Sequence, residues 1–205
     1  VDHCLSVPHF PQRFEPPDWP TGALCEGAGP EIWGDRACGL ACLRMITSYF
    51  GLAVPSQYDL VRQAVDSGAY TSRGILHQGL ADLAGRHGVS AAPVALDTAE
   101  EMRRLLTTCG PVVVSVTHQF PEDGRRGGHL VVVTGVHRTP EPAVTFRDPS
   151  RWGHTHSEVP VRRFFSSFTG RAIVFAAHPR TLRAALGGVP GPGPTRAAQG
   201  SPGTR

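Results

Sequence analysis

The spacing of apolar residues changes character midway along the chain. From Cys38 the segment CGLACLRMITSYFG sets Leu40, Leu43, Ile46 and Phe50 at helical spacing, and Gly51 ends it. Ser56 to Asp66 reads as a second helix, with Ser56 as N-cap and Gly68 as the stop. Arg73 to His87 reads as a third, with Ile75, Leu76, Leu80 and Leu83 on its apolar face and Gly88 closing it. Thr98 with Glu101 is a capping box that opens a fourth helix ending at Gly110. Beyond that point the pattern is β-branched and strand-length. PVVVSVT (111–117), HLVVVTGV (129–136), AVTFRD (143–148) and RAIVFAA (171–177) read as strands, with a short helix-like VRRFFSSF between the last two. Helices first and strands second predict an α+β fold, an N-terminal helical part packed on a C-terminal antiparallel sheet.

The flanks are different. Residues 1–37 are rich in Pro and Gly and read as loop, and the stretch from Gly187 is Gly, Pro, Ser, Thr and Ala with little else apolar. We therefore expect one domain over 1–186, with a loop-rich insertion at 13–37, and a disordered tail over 187–205. The paired glycines after RTLRAAL read as the end of a helix before that tail. Hydrophobic residues make up 40% and charged residues 18% of the 205, a composition that suits a globular core. A net charge of +3 is too small to imply a nucleic-acid partner. No apolar run reaches the roughly 20 residues of a membrane helix, and no secretory signal is visible, so the expected setting is cytoplasmic. Five cysteines at irregular spacing argue for free thiols rather than a disulfide framework. Lys and Asn are both absent, which rules out a Ser–Lys mechanism and a Cys–His–Asn triad.

Cys38 is the candidate nucleophile. It opens the first apolar helix, and a helix N-terminus favours the thiolate. The alternative for a single cysteine is a buried core thiol, which is the preferred reading of Cys42, one turn later. Gly39 leaves room for a substrate backbone, and Gly127 and Gly128 form an open approach before the strand. His129 begins the most apolar strand, and a titratable residue at the mouth of a core strand is expected in a site. Folding 129–136 back on 143–148 brings Asp148 to the same end of the sheet, where its carboxylate can orient the imidazole. Asp148 precedes a proline, so a turn-capping role is compatible with that one. Gln12, in VPHFPQ, is the candidate side-chain donor to an oxyanion, beside the backbone N–H of Cys38. His118, His137, His154, His156 and His178 read as solvated, and no metal site or cofactor is expected.

ACGLACLRMITSYFG resembles the nucleophile segment of the bacteriocin-processing, double-glycine leader peptidases, papain-like domains often found at the N-terminus of ABC exporters. SRGILHQGLADLAGRHGV, GGHLVVVTGV with VTFRDPS, and RRFFSSFTGRAIVF resemble the other segments of that family, so the likeness runs roughly over residues 7–177. The resemblance implies a papain-like fold with Cys38 as nucleophile, His129 as base and Asp148 as orienter. In the exporter type a glutamine lies a few residues before the cysteine, whereas here that stretch is EIWGDRA. VPHFPQ instead looks like the glutamine segment of the stand-alone branch, with a long insertion before Cys38. The expected function is hydrolysis of a peptide or amide bond through an acyl-enzyme. Acyl transfer at the same site to an amine, and a catalytically silent binding module, are the alternatives. The partner is a peptide or acyl substrate, and the sequence says nothing of oligomeric state.

Overall fold

The computed structural model of the chain describes residues 4–15, 18–138 and 141–187. The tail expected over 187–205 therefore lies, from residue 188 on, outside the described residues. In chain order the elements are α1 (Pro30–Gly34), α2 (Cys38–Tyr49), α3 (Gln57–Asp66), β1 (Tyr70–Thr71), β2 (Gly74–Ile75), α4 (His77–Arg86), β3 (Ser90–Ala95), α5 (Ala99–Thr108), β4 (Val112–Val116), β5 (His129–His137), β6 (Ala143–Arg147), β7 (Glu158–Pro160), α6 (Val161–Ser167), β8 (Arg171–Ala176) and α7 (Pro179–Leu186). β1 and β2 form a small hairpin. The other strands make one antiparallel sheet in the order β3-β8-β4-β5-β6-β7. The architecture is α+β, as the pattern predicts.

The Val-rich β4 and β5 occupy the middle of the sheet. Val112, Val113, Val114, Val131, Val132 and Val133 are fully buried, which is why their sequences read as continuous apolar runs rather than alternating ones. Helix α2 packs on β5. Its contact face is small. Gly39 and Cys42 lie three residues apart, and the Cys42 thiol donates to the Leu130 carbonyl at 3.4 Å. A Cβ at position 39 would stand 2.9 Å from Leu130 Cδ1 and 2.8 Å from Ile75 Cγ2. Gly39 thus has a packing reason to lack a side chain: it lets the first turn of α2 press against β5 and the hairpin.

Two helix starts were legible as caps. Ser56 accepts from the Asp59 N–H at the start of α3, and Thr98 and Glu101 complete a capping box on α5. Helix α2 has no side-chain cap at its N-terminus. Its first N–H groups are left for other partners.

The third helix begins later than its pattern suggested, at His77 rather than Arg73. Residues 70–75 instead turn back on themselves, with Thr71 Oγ1 accepting from Arg73 N–H and Gly74 at φ +102°. A left-handed residue at that place is incompatible with helix. β3 and β7 were not expected. β3 is Ser-Ala-Ala-Pro-Val-Ala, with little β-branching and a proline, and it sits at an edge of the sheet where a missing N–H is tolerated. β7 has three residues and lies at the other edge. All five cysteines are free thiols, as expected. Among the described residues no helix is long and apolar enough to cross a membrane.

Gly39→Ala should destabilise the protein by about 1–3 kcal/mol, the usual cost of overfilling a packed site. Gly85→Ala, in α4 with nothing within 4 Å of the added carbon, should stabilise it by about 0.4–1 kcal/mol. Urea unfolding of the two variants checks the opposite signs.

Candidate active site

Three elements converge at one end of the sheet. His129 is the first residue of β5 and pairs with Val116, the last of β4. β6 runs antiparallel to β5, with Arg147 opposite Val132, so Asp148 leaves β6 at the end where His129 enters β5. Helix α2, pressed on β5 through Gly39, brings Cys38 to the same place.

The side chains meet there. His129 Nε2 donates to Asp148 Oδ1 at 2.7 Å. Cys38 and His129 lie close enough for each to shift the other's proton affinity, and since Nε2 is engaged by Asp148, Nδ1 is the nitrogen left for the sulfur. Asp148 Oδ1 also accepts from the Ser150 N–H at 2.7 Å, an Asx-type turn across Pro149. The orienting and turn-capping geometries thus coexist on one carboxylate. His129 is 8% exposed and Asp148 0%, while Cys38 is half-buried.

Burial by itself would push the Cys38 thiol up. The hydrogen bond and charge of His129, helped by the backbone N–H groups of Leu130 and Gly39, bring it below its ordinary value. Burial by itself would lower His129, but its bonds to Asp148 and Cys38 push it up to about 10. Asp148 is raised by burial, yet its bonds to His129 and Ser150 hold it below the usual carboxylate range. The three shifts favour one charge state, a thiolate and a carboxylate on either side of an imidazolium. Cys42 shows the contrast. It is fully buried, has no such partner, and is pushed well above the ordinary thiol value by burial and then by the neighbouring Cys38.

A cleft of about 480 Å³ opens beside His129. It is lined by Gln12, Gly128, His118 and Trp152 among others, and Cys38 does not line it. Gln12 therefore shares a cleft with His129. Its Nε2 donates to the Gly34 carbonyl at 2.9 Å, and its Oε1 is buried with no hydrogen-bond partner among the described residues. One amide hydrogen of Gln12 remains uncommitted. Gly128 borders the cleft, at φ +91°. Gly127 does not, and a Cβ there would come within 2.7 Å of Thr169 Cγ2.

Several residues near the site escaped sequence reasoning. His9 Nε2 lies 2.7 Å from the Asp148 carbonyl oxygen, a bond between residues 139 apart in sequence. His118, expected to be solvated, is exposed but sets its ring edge-on to His129 at 5.3 Å. His154 packs against His9, and His156 stacks on Trp152 at 4.2 Å. His118, His129 and Asp148 present ligand atoms within 4.8 Å of one another, a set that could hold a metal ion. No local signal distinguishes these histidines among the chain's 10.

The family model for the papain-like cysteine protease AvrRpt2 matches residues 34–169. The chain belongs to this family. Cys38, His129 and Asp148 all fall inside the matched residues, and Gln12 falls outside them. Solved structures agree on the fold. A double glycine motif protease from an AMS/PCAT transporter, solved with a leader peptide, is 17% identical with a TM-score of 0.52, covering 85% of this chain and 97% of that one. The peptidase domain of Streptococcus ComA, a bi-functional ABC transporter involved in a quorum sensing pathway, is 22% identical with a TM-score of 0.54, covering 70% and 93%. These are the double-glycine peptidase domains that the sequence segments resemble. No curated protein matches.

With the thiol lowered and His129 raised to about 10, Cys38 should be ionised at a lower pH than an ordinary thiol. Limiting iodoacetamide at mildly acidic pH should label Cys38 ahead of the other four cysteines. His129→Ala should abolish the preference. Peptide mapping by mass spectrometry reads both.

Proposed function

We propose that the chain is a cysteine peptidase that cleaves peptide bonds through an acyl-enzyme on Cys38. The observation that carries this reading is Cys38, at an uncapped helix start and with its thiol lowered, beside a His129 that is itself bonded to Asp148. Membership of a papain-like cysteine protease family supports it, and so does a fold shared with a protease solved on a leader peptide.

The Cys38 thiolate attacks the scissile carbonyl, forming the C–S bond and placing charge on the carbonyl oxygen. The backbone N–H of Cys38 and the free amide hydrogen of Gln12 receive that oxyanion. Collapse of the intermediate expels the amine, which takes its proton from His129 Nδ1. The neutral ring then removes a proton from water as its oxygen attacks the thioester. Release of the carboxylic acid restores thiolate and imidazolium. Asp148 keeps Nε2 protonated throughout, so that Nδ1 is always the nitrogen turned to the sulfur. We assign the cleft beside His129, bordered by Gly128 and Trp152, to the leaving amine, because in this mechanism His129 gives that group its proton. Residues C-terminal to the cut bond belong there. No cofactor enters any step.

Incubation with a complex peptide library, followed by mass spectrometry of new termini, tests the proposal. The unmodified protein should generate new termini and Cys38→Ala none, while Cys38→Ala still retains peptide. Equal cleavage by both proteins would refute Cys38 as nucleophile.

A further inference from the structure

Gln12 is far from Cys38 in sequence, and an insertion lies between them. Something other than local chain geometry must hold it in the cleft. Its backbone is fixed from both sides. The Gln12 N–H donates to the Pro149 carbonyl at 2.8 Å, which ties it to the residue after Asp148. Its carbonyl accepts from Gln57 Nε2 at 2.7 Å. Gln57 is fully buried at the first turn of α3, where a polar side chain is costly unless bonded.

Gln57 is held in turn. Its Oε1 accepts from Arg44 Nη1 at 3.2 Å. Arg44 belongs to α2, the helix that Cys38 begins, and is only 7% exposed. Its guanidinium grips both oxygens of Asp18 at 2.9 Å, donates to the Pro55 carbonyl, and lies over the Phe10 ring at 4.8 Å. The fixed fork of arginine suits this many simultaneous partners. The series Arg44–Gln57–Gln12 therefore links the nucleophile helix to the cleft by directional bonds, all of them buried or partly buried.

We infer that Gln57, fixed by Arg44, is a positioning residue that sets the Gln12 amide for the oxyanion. The inference rests on the proposed role of Gln12 and extends it to a residue that touches no substrate. The side chain of Gln12 pivots on the peptide that Gln57 and Pro149 clamp. Loosening one clamp lets the amide drift, which weakens binding of the transition state more than binding of the peptide.

The test is a double-mutant cycle with Gln12→Ala and Gln57→Glu. Glutamate keeps the shape of Gln57 and strengthens the contact with Arg44, but turns an oxygen instead of an N–H toward the Gln12 carbonyl. Gln12→Ala should lower kcat by roughly 100-fold, the usual effect of losing one oxyanion donor. Gln57→Glu should lower kcat by about 10-fold or more, with KM changed less than about twofold. Cys38 labelling by iodoacetamide should be unchanged in both. The double variant should be no worse than Gln12→Ala alone, because Gln57 acts through Gln12. Gln57→Met, similar in shape and without the donor, gives the same reading if the glutamate variant fails to fold. Wild-type kcat in the Gln57 variants, or losses that multiply in the double variant, overturn the inference. A silent Gln12→Ala also overturns it, and removes Gln12 from the proposed mechanism. Loss of Cys38 cleavage activity on its own is read separately, in Cys38→Ala.

Discussion

The close approach of α2 to β5 is the contact on which the site depends. A thiol at a helix start and an imidazole at a strand start are each common. They become a pair only if the helix end lies against that strand end. Here the distance is set by what is absent. Gly39 has no side chain to hold Leu130 and Ile75 away, and Cys42 is small enough for its sulfur to reach the Leu130 carbonyl. Leu130 follows His129 directly, so the contact that packs the helix also registers Cys38 against His129. The antiparallel return of β6 then supplies Asp148 at no further cost in geometry, since the hairpin register already aligns the ends.

Burial works on this site in two opposed ways. It penalises every charge, and for Cys38, His129 and Asp148 it is the largest single influence. Yet the same low dielectric strengthens the attraction between neighbours. A thiol alone loses, as Cys42 does. A thiol with a ring that is itself held by a carboxylate wins, and the net effect reverses sign within one helical turn. Asp148 is well supported, with His129 and Ser150 on one oxygen and His9 on its backbone carbonyl. Its second oxygen is buried without a partner among the described residues, so the carboxylate gains most of its stabilisation through the face it turns to His129.

How much of this was legible in the sequence follows the range of each interaction. α3 and α5 announced themselves by caps three residues long, and β4 and β5 by unbroken runs of valine. β3 did not, because Ala-Ala-Pro carries no β signal, and only pairing with β8, far along the chain, makes it a strand. The 70–75 hairpin was hidden because Ile75 and Leu76 continue the apolar period of α4 across a turn that Gly74 enforces. That Cys38, His129 and Asp148 come together could be read because each stands where an element begins or ends. The packing role of Gly39 could not be read, because it depends on Leu130 and Ile75, on other elements. His9, Gln57 and Arg44 gave no signal, because what matters about each is a bond to a residue remote in sequence.

If Gln12 serves as we propose, the clamp around it is how the site tolerates the insertion. When donor and nucleophile are neighbours in sequence, a few peptide units fix their separation. Once a long segment divides them, chain connectivity no longer restrains the donor, and the entropy of the intervening loop works against any one placement. Apolar packing could bury that segment, and Trp33 does so for α1, held by Cys25 and set edge-on to Tyr70. Non-directional contacts do not fix the angle of a single amide, however. Hydrogen bonds do, because their strength falls steeply as they bend. That is a physical reason for an arginine and a glutamine to be buried beside α2, where leucines would bury as well. Apolar replacements of equal shape can hold a fold as firmly, but here they would leave the Gln12 carbonyl without its donor.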